Sequence, residues 1–311
     1  MTAPSGLGPE KALHAILATL RPYLNDLVII GGWVPHLYRR HGPFPDWRSE
    51  LSLTQELDVL VTRDLPAGDR PSLPDLLVSA GFAPIGDSMT CAVWATSPER
   101  GEKVEFLVPH QGTRHDLNKR VAVRGQHGSD TANLGAIALA TLDVMQAHTT
   151  TLLVPIGRVE HELTTVNLRV PTLGAYCLNK AITFPQRELS SFGEANSKRA
   201  KDLLYLRDLV AAGEAVLVHI QRDCTGIQTS GKRGQFLFDR AVMNLENALH
   251  PNERIWITRA AAMRVEREPG IDQSVAEADL RGRLTDLIEV LRGALALTLA
   301  PSQPRVAPDR S

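Results

Sequence analysis

The sequence predicts an α+β protein, in which an N-terminal half mixing strands and helices is followed by an all-helical C-terminal half. Two observations carry this. Up to Pro171, short apolar runs rich in Val, Ile and Leu alternate with helically spaced segments, with Gly- and Pro-containing turns between them. From Pro171 onward, the apolar residues recur at helical spacing. The expected division is 1–170, 171–300 and a Pro-rich, polar tail at 301–311, whose composition favours disorder.

Each element follows from its local pattern. "PEKALHAILATLRPYL" has apolar residues at helical spacing and predicts a helix over roughly 9–23. "DLVIIGG" is a β-branched run ending in Gly-Gly, as in a buried strand with a tight turn. "WVPHLYRR" predicts a short helix that accepts Pro35 in its first turn. "HGPFPDWRSE" is a loop by composition, and "LSLTQELDVLVT" a second strand. "PSLPDLLVSAGF" predicts a helix ending at Gly81, and "MTCAVWATS" with "EKVEFLVP" a hairpin around the polar turn "PERG". "DTANLGAIALATLDVMQAHTT" predicts a helix or helix pair, and "TTLLVPI" and "TTVNLRVP" two more strands. After Pro171 the helices are "TLGAYCLNKAITF", "NSKRAKDLLYLRDLVAAG", "EAVLVHIQRDC", "QFLFDRAVMNLENAL" and "VAEADLRGRLTDLIEVLRGALAL".

At 311 residues the chain is long enough for two domains, and a hydrophobic fraction of 43% allows a real core. Aromatics make up only 5%, so that core must rest on Leu, Val, Ala and Ile. A net charge of −1 gives no overall attraction to nucleic acid, which would need a local basic patch. Cys91, Cys177 and Cys224 form no CxxC pair, which argues against a disulfide framework or zinc ribbon and fits a reducing compartment. The N-terminus lacks a signal-peptide pattern, and no run approaches the ~18 apolar residues of a membrane span. The expectation is a soluble, cytoplasmic protein without membrane contact.

Glu56 and Asp58 stand two apart inside an apolar strand and so share a face. Two ionised carboxylates that close repel, unless a cation sits between them. Mg²⁺ suits the position, since one or two carboxylates, water and phosphate oxygens satisfy it. Glu105, inside "EKVEFLVP", adds a third acid, and three acids on neighbouring strands can hold two metal ions for an in-line phosphoryl displacement. The competing reading of each acid is a solvated strand-edge residue. Gly31 and Gly32 lie where a strand turns into a helix, so free N–H groups there can bind phosphate. A plain tight turn is the alternative.

In this order (strand, Gly-Gly, helix, loop, Thr-x-acid-hydrophobic-Asp, then a third acid) the chain resembles the nucleotidyltransferase superfamily, with its DNA polymerase β-like fold. The matching residues are Gly31, Gly32, Thr54, Glu56, Asp58 and Glu105. The resemblance implies a mixed sheet, two Mg²⁺ ions bound by Glu56, Asp58 and Glu105, and transfer of a nucleoside monophosphate from NTP with loss of pyrophosphate. It also implies that Glu105 helps activate the acceptor hydroxyl. "LGAYCLNKAITF…SKRAKDLLYLRDL" is similar to the helical segment of AbiEii-type nucleotidyltransferases, which include toxins of toxin–antitoxin pairs. That similarity implies that Lys180, Lys201 and Asp202 face the nucleotide, with Arg187, Lys198 and Arg199 adding positive charge. An amphipathic helix with a charged face is the simpler account of the same segment. Three departures stand out: Ser52 replaces an arginine usual before the Thr, with Arg48 the nearest substitute; Tyr205 replaces a second aspartate; and the first acid is Glu56 rather than Asp.

"GIQTSGKR" nearly spells a phosphate-binding loop, but Arg233 stands where a hydroxyl is required and the preceding segment is helical in pattern. No HExxH or GxSxG is present, and the aromatics are too scattered for a stacking platform. The expected function is Mg²⁺-dependent nucleotidyl transfer from an NTP such as ATP. The acceptor hydroxyl would be on a tRNA 3′ end, a protein or a small molecule. Arg187, Lys198, Arg199, Lys232 and Arg233 are the candidate basic patch for a nucleic acid. The alternative is a catalytically silent binding module that pairs with a protein such as an antitoxin.

Overall fold

The computed structural model describes residues 9–44, 46–47, 56–86, 89–97, 101–111, 117–159, 162–186, 192–250 and 254–293. Helix α1 (Pro9–Thr19) ends earlier than the periodicity predicts; Pro22 lies in the short 3-10 turn Arg21–Tyr23 that follows. Then come β1 (Val28–Ile30), α2 (Trp33–His41), β2 (Glu56–Leu60) and α3 (Leu73–Ser79), capped by Ser72. Strands β3 (Ala83–Pro84), β4 (Thr90–Cys91), β5 (Val93–Ala95), β6 (Lys103–Pro109), β7 (Arg120–Ala122) and β8 (Asn133–Leu139) precede the short helix α4 (Leu142–Ala147).

Among the described residues β1 to β8 form one mixed sheet. Its path is β1-β2-β6-β5-β3: β1 pairs antiparallel with β2, β2 parallel with β6, and β6 antiparallel with β5. On its other stretch β6 pairs parallel with β8, which carries β4 and β7. The predicted hairpin around "PERG" is β5 with β6. Its first arm is split at Ala92, so that Thr90 and Cys91 pair with β8 instead.

The helix expected over "DTANLGAIALATLDVMQAHTT" is corrected. Its first part is strand β8, and only Leu142–Ala147 is helical. The small apolar residues that suit a helix also suit an interior strand. Leu134, Ala136 and Ala138 are buried, and Gly135 packs against Thr90, where a Cβ would be 2.7 Å from its methyl carbon. Tertiary pairing with β6 and β7 decides the outcome. Strand β7 and the later helix α9 (Arg254–Arg267) were not singled out by pattern.

Strands β9 (Thr149–Val159) and β10 (Glu162–Pro171) form a separate antiparallel hairpin that lies against β1, α1 and α2. The Tyr38 hydroxyl donates to the Pro171 carbonyl at 3.0 Å. Thr172 then caps α5 (Leu173–Thr183) by accepting from the Ala175 N–H. From there the described elements are helical: α6 (Phe192–Ala211), α7 (Glu214–Thr229), α8 (Lys232–Leu249), α9 and α10 (Gln273–Leu291). Helix α5 packs on α4, α6, α7 and α8, and α6 packs on α9 and α10. The near-phosphate segment "GIQTSGKR" runs from the last turn of α7 through Ser230 and Gly231 into the start of α8, and is not a strand-to-helix loop. The three cysteines are buried free thiols. No described helix is long and apolar enough to cross a membrane. The tail expected at 301–311 lies outside the described residues.

Candidate active site

The register of the sheet assembles the acids. Ile30 of β1 lies opposite Asp58 of β2, and Asp58 lies opposite Glu105 of β6. Leu57 and Val59 point to the opposite face and are buried, as are Val104 and Phe106. Asp58 and Glu105 therefore stand side by side on the face that the apolar residues leave. Gly31, directly after Ile30, adopts φ +73°, and a Cβ there would overlap the Asp58 carboxylate. A glycine at this turn is thus required twice, by backbone conformation and by the approach of Asp58. Gly32 is the N-cap residue of α2.

A cleft of about 400 Å³ opens over this face. Gly31, Asp58 and Glu105 line one end, and Lys180 of α5 and Lys198 of α6 enter from the helical side. Lys180 Nζ bonds Asp202 Oδ1 at 2.8 Å, a buried ion pair with side-chain exposures of 8% and 3%. Its ammonium also lies over the rings of Tyr205 (5.0 Å) and Tyr176 (5.6 Å). Burial pushes the Tyr205 phenol well above its ordinary value, and the charges of Asp202 and Asp58 push in the same direction. Tyr205, a departure from the expected aspartate, thus serves as an aromatic wall for Lys180 and, at 5.8 Å, for Lys201.

Lys201 is half-buried. Burial pulls its ammonium below the ordinary lysine value, the Glu56 charge opposes this, Lys180 and Arg267 reinforce it, and Asp58 opposes it again. Glu56 and Asp58 are therefore the acids that Lys201 faces electrostatically. Glu56 itself is exposed at the start of β2 and is not among the residues lining the cleft. No group of three His, Cys, Asp or Glu among the described residues is arranged to hold a metal ion. What the cleft offers is the adjacent pair Asp58 and Glu105.

Not every predicted residue meets there. Arg199 is buried, lies 4.4 Å from the Trp256 ring centre and donates to the Pro185 carbonyl. Arg233 pairs with Asp143. Arg199 is thus enclosed, whereas Arg233 keeps its side chain 60% exposed. Thr54 and Arg187, like Arg48 and Ser52, lie outside the described residues. Asn118, Thr141 and Asn179 were missed by pattern. Asn118 and Asn179 line the cleft, and Thr141 bonds Asn179. No sequence signal marks them beyond the position of Asn179 next to Lys180.

No family model matches the chain, and no curated protein matches it either. Among solved structures, the chain is similar to a protein from H. pylori provisionally assigned as a nucleotidyltransferase. The match spans 94% of this chain and 99% of that one, at 12% identity and a TM-score of 0.39. Likeness at that level is too loose to assign a shared fold.

Proposed function

We propose that the chain is a Mg²⁺-dependent nucleotidyltransferase that moves a nucleoside monophosphate from an NTP to an acceptor hydroxyl. The observation that supports this most directly is the register pair Asp58–Glu105 beneath the Gly31 turn and opposite Lys180, all in one cleft. The donor set suits Mg²⁺, which needs only one or two carboxylates when phosphate oxygens and water complete its shell. Asp58 and Glu105 would hold it. Bound there, Mg²⁺ supplies charge neutralisation at the phosphate oxygens. Lys180 and Lys198 face the same negative charge from the helical side, and the Gly31–Gly32 turn lets the triphosphate approach backbone N–H groups. Asp202 and Tyr205 position Lys180. The work of such a site is alignment and charge stabilisation, with little covalent chemistry for the protein.

One observation favours a second reading, a silent nucleotide-binding module: no three-acid metal group occurs among the described residues. Pyrophosphate release from each of the four NTPs with Mg²⁺, against a panel of RNA 3′ ends, proteins and small alcohols, separates the two. We expect release by the wild type and a loss of at least about 100-fold, near 3 kcal/mol, in Asp58→Asn and Glu105→Gln. No release by the wild type with any combination would favour the silent module.

A further inference from the structure

The cleft has a second end, chemically unlike the first. Along β6 the next residue on the face of Glu105 is Leu107, about 7 Å further at ~3.3 Å per residue. Its register partner on β8 is Ile137. With Leu139, Leu142 and Met145 these residues form an apolar wall. Two amides line the cleft: Asn118 is exposed, whereas Asn179 is only 5% exposed.

The orientation of the Asn179 amide is fixed by a chain of bonds. The Thr141 hydroxyl donates to the Ala140 carbonyl at 2.5 Å, and Asn179 Nδ2 donates to Thr141 Oγ1 at 2.8 Å. A hydroxyl has one proton, so Thr141 can only accept from Asn179. Asn179 Oδ1 is turned the other way, and no group among the described residues donates to it. Thr141 holds this arrangement from a left-handed backbone, φ +66°, a conformation that strains a β-branched residue. Such strain beside a cleft is a reason to look for a ligand-reading role.

An amide held in one orientation reads an edge: Oδ1 accepts, and the second Nδ2 proton is left to donate. A 6-aminopurine or 4-aminopyrimidine meets that order with an amino N–H beside an acceptor ring nitrogen, whereas its oxo counterpart presents the reverse order, a carbonyl beside a ring N–H, and sets like groups against each other. We infer that Asn179 determines specificity, its Oδ1 accepting from the exocyclic amino group of a nucleobase resting on the Leu107–Ile137 wall. The site then takes a 6-aminopurine or 4-aminopyrimidine nucleotide in preference to its oxo counterpart. This rests on the reading of the acid end as a triphosphate site, and it places base and phosphates at opposite ends of one cleft. Lys180 and Asn179, adjacent on α5, serve the two ends separately: Lys180 pairs with Asp202, and Asn179 with Thr141.

The test is calorimetric titration of the full chain with Mg²⁺ and two matched pairs, ATP against ITP and CTP against UTP. In at least one pair the amino nucleotide should bind about tenfold tighter or more. Asn179→Leu and Thr141→Ala, the second freeing the amide to rotate, should each reduce that ratio to about threefold or less. Asn179→Asp, which keeps an acceptor oxygen, should retain the preference. Far-UV circular dichroism confirms that each variant is folded, and Thr141→Ala carries the test if Asn179→Leu is not. Equal wild-type affinities within both pairs, or an unchanged ratio in a folded Asn179→Leu or Thr141→Ala, would overturn the assignment while leaving the triphosphate site standing. Failure of the wild type to bind any of the four nucleotides would overturn both.

Discussion

Lys180 shows most clearly how one residue links packing to chemistry. Its ammonium is buried between Asp202 and two tyrosine rings, yet it lines the cleft. Removing one member of a buried pair leaves an uncompensated charge, which costs more than removing both. Lys180→Ala should therefore destabilise the fold by about 3–5 kcal/mol, whereas Lys180→Met combined with Asp202→Leu should recover most of that loss. Urea denaturation of the three proteins measures it. A double variant as unstable as Lys180→Ala would mean that the tyrosine contacts, not the ion pair, hold this part of α5. The neighbouring tyrosines also show where pattern reading stops. Tyr205 reads as a missing aspartate in the sequence, but in three dimensions its ring face is what two lysines share.

At the scale of elements, one carboxylate ties three helices. Asp279 of α10 accepts from Arg207 of α6 at 2.8 Å and from Arg264 of α9 at 2.6 Å, with Arg283 nearby. Burial raises its carboxyl, but the bond and charge of Arg207 and the charges of Arg264 and Arg283 outweigh burial, so it sits below the ordinary carboxylate value. A depressed carboxylate stabilises the fold above its unfolded value, near 4, and loses that contribution as pH falls through its folded value. Asp279→Asn should cost about 1.5–3 kcal/mol at pH 7. The gap to wild type, followed by denaturation at descending pH, should close below about pH 4. A gap independent of pH would show that the charge of Asp279 is immaterial.

The same scale explains what the sequence could reveal. β1, α2, β2 and the β5–β6 pair were legible because their apolar alternation and turn residues are local. Asp58 and Glu105 drew notice because carboxylates inside apolar strands are out of place; their register as direct neighbours was not legible, and the sequence paired Asp58 with Glu56, which is not among the residues lining the cleft. β8 was not, since "NLGAIAL" carries no alternation and only its neighbours make it a strand. The apolar end of the cleft was illegible for the same reason. Leu107, Ile137 and Met145 are scattered in sequence and meet through the parallel pairing of β6 with β8 and the helix that follows.

Across the whole molecule, the cleft is shared between the sheet and the helices, so a ligand that fills it bridges both. Mg²⁺ with the preferred NTP should therefore raise the melting temperature of the entire chain, by an amount equivalent to about 2.7 kcal/mol at 100 times Kd. Asp58→Ala with Glu105→Ala should abolish the rise. A rise that survives both substitutions would place the nucleotide elsewhere.

The buried cysteines bear on how occupation of the cleft could be watched. Cys91, Cys177 and Cys224 are enclosed, and burial lifts the Cys177 thiol to about 12 and Cys224 well above its ordinary value. Thiolates are what maleimides attack, so the folded chain offers these reagents very little. A fluorophore pair could then be attached at two introduced surface cysteines, one on β7 and one on α6, with the native thiols left in place. The distance between the two labels, with and without nucleotide, could be read by energy transfer in an otherwise unaltered protein.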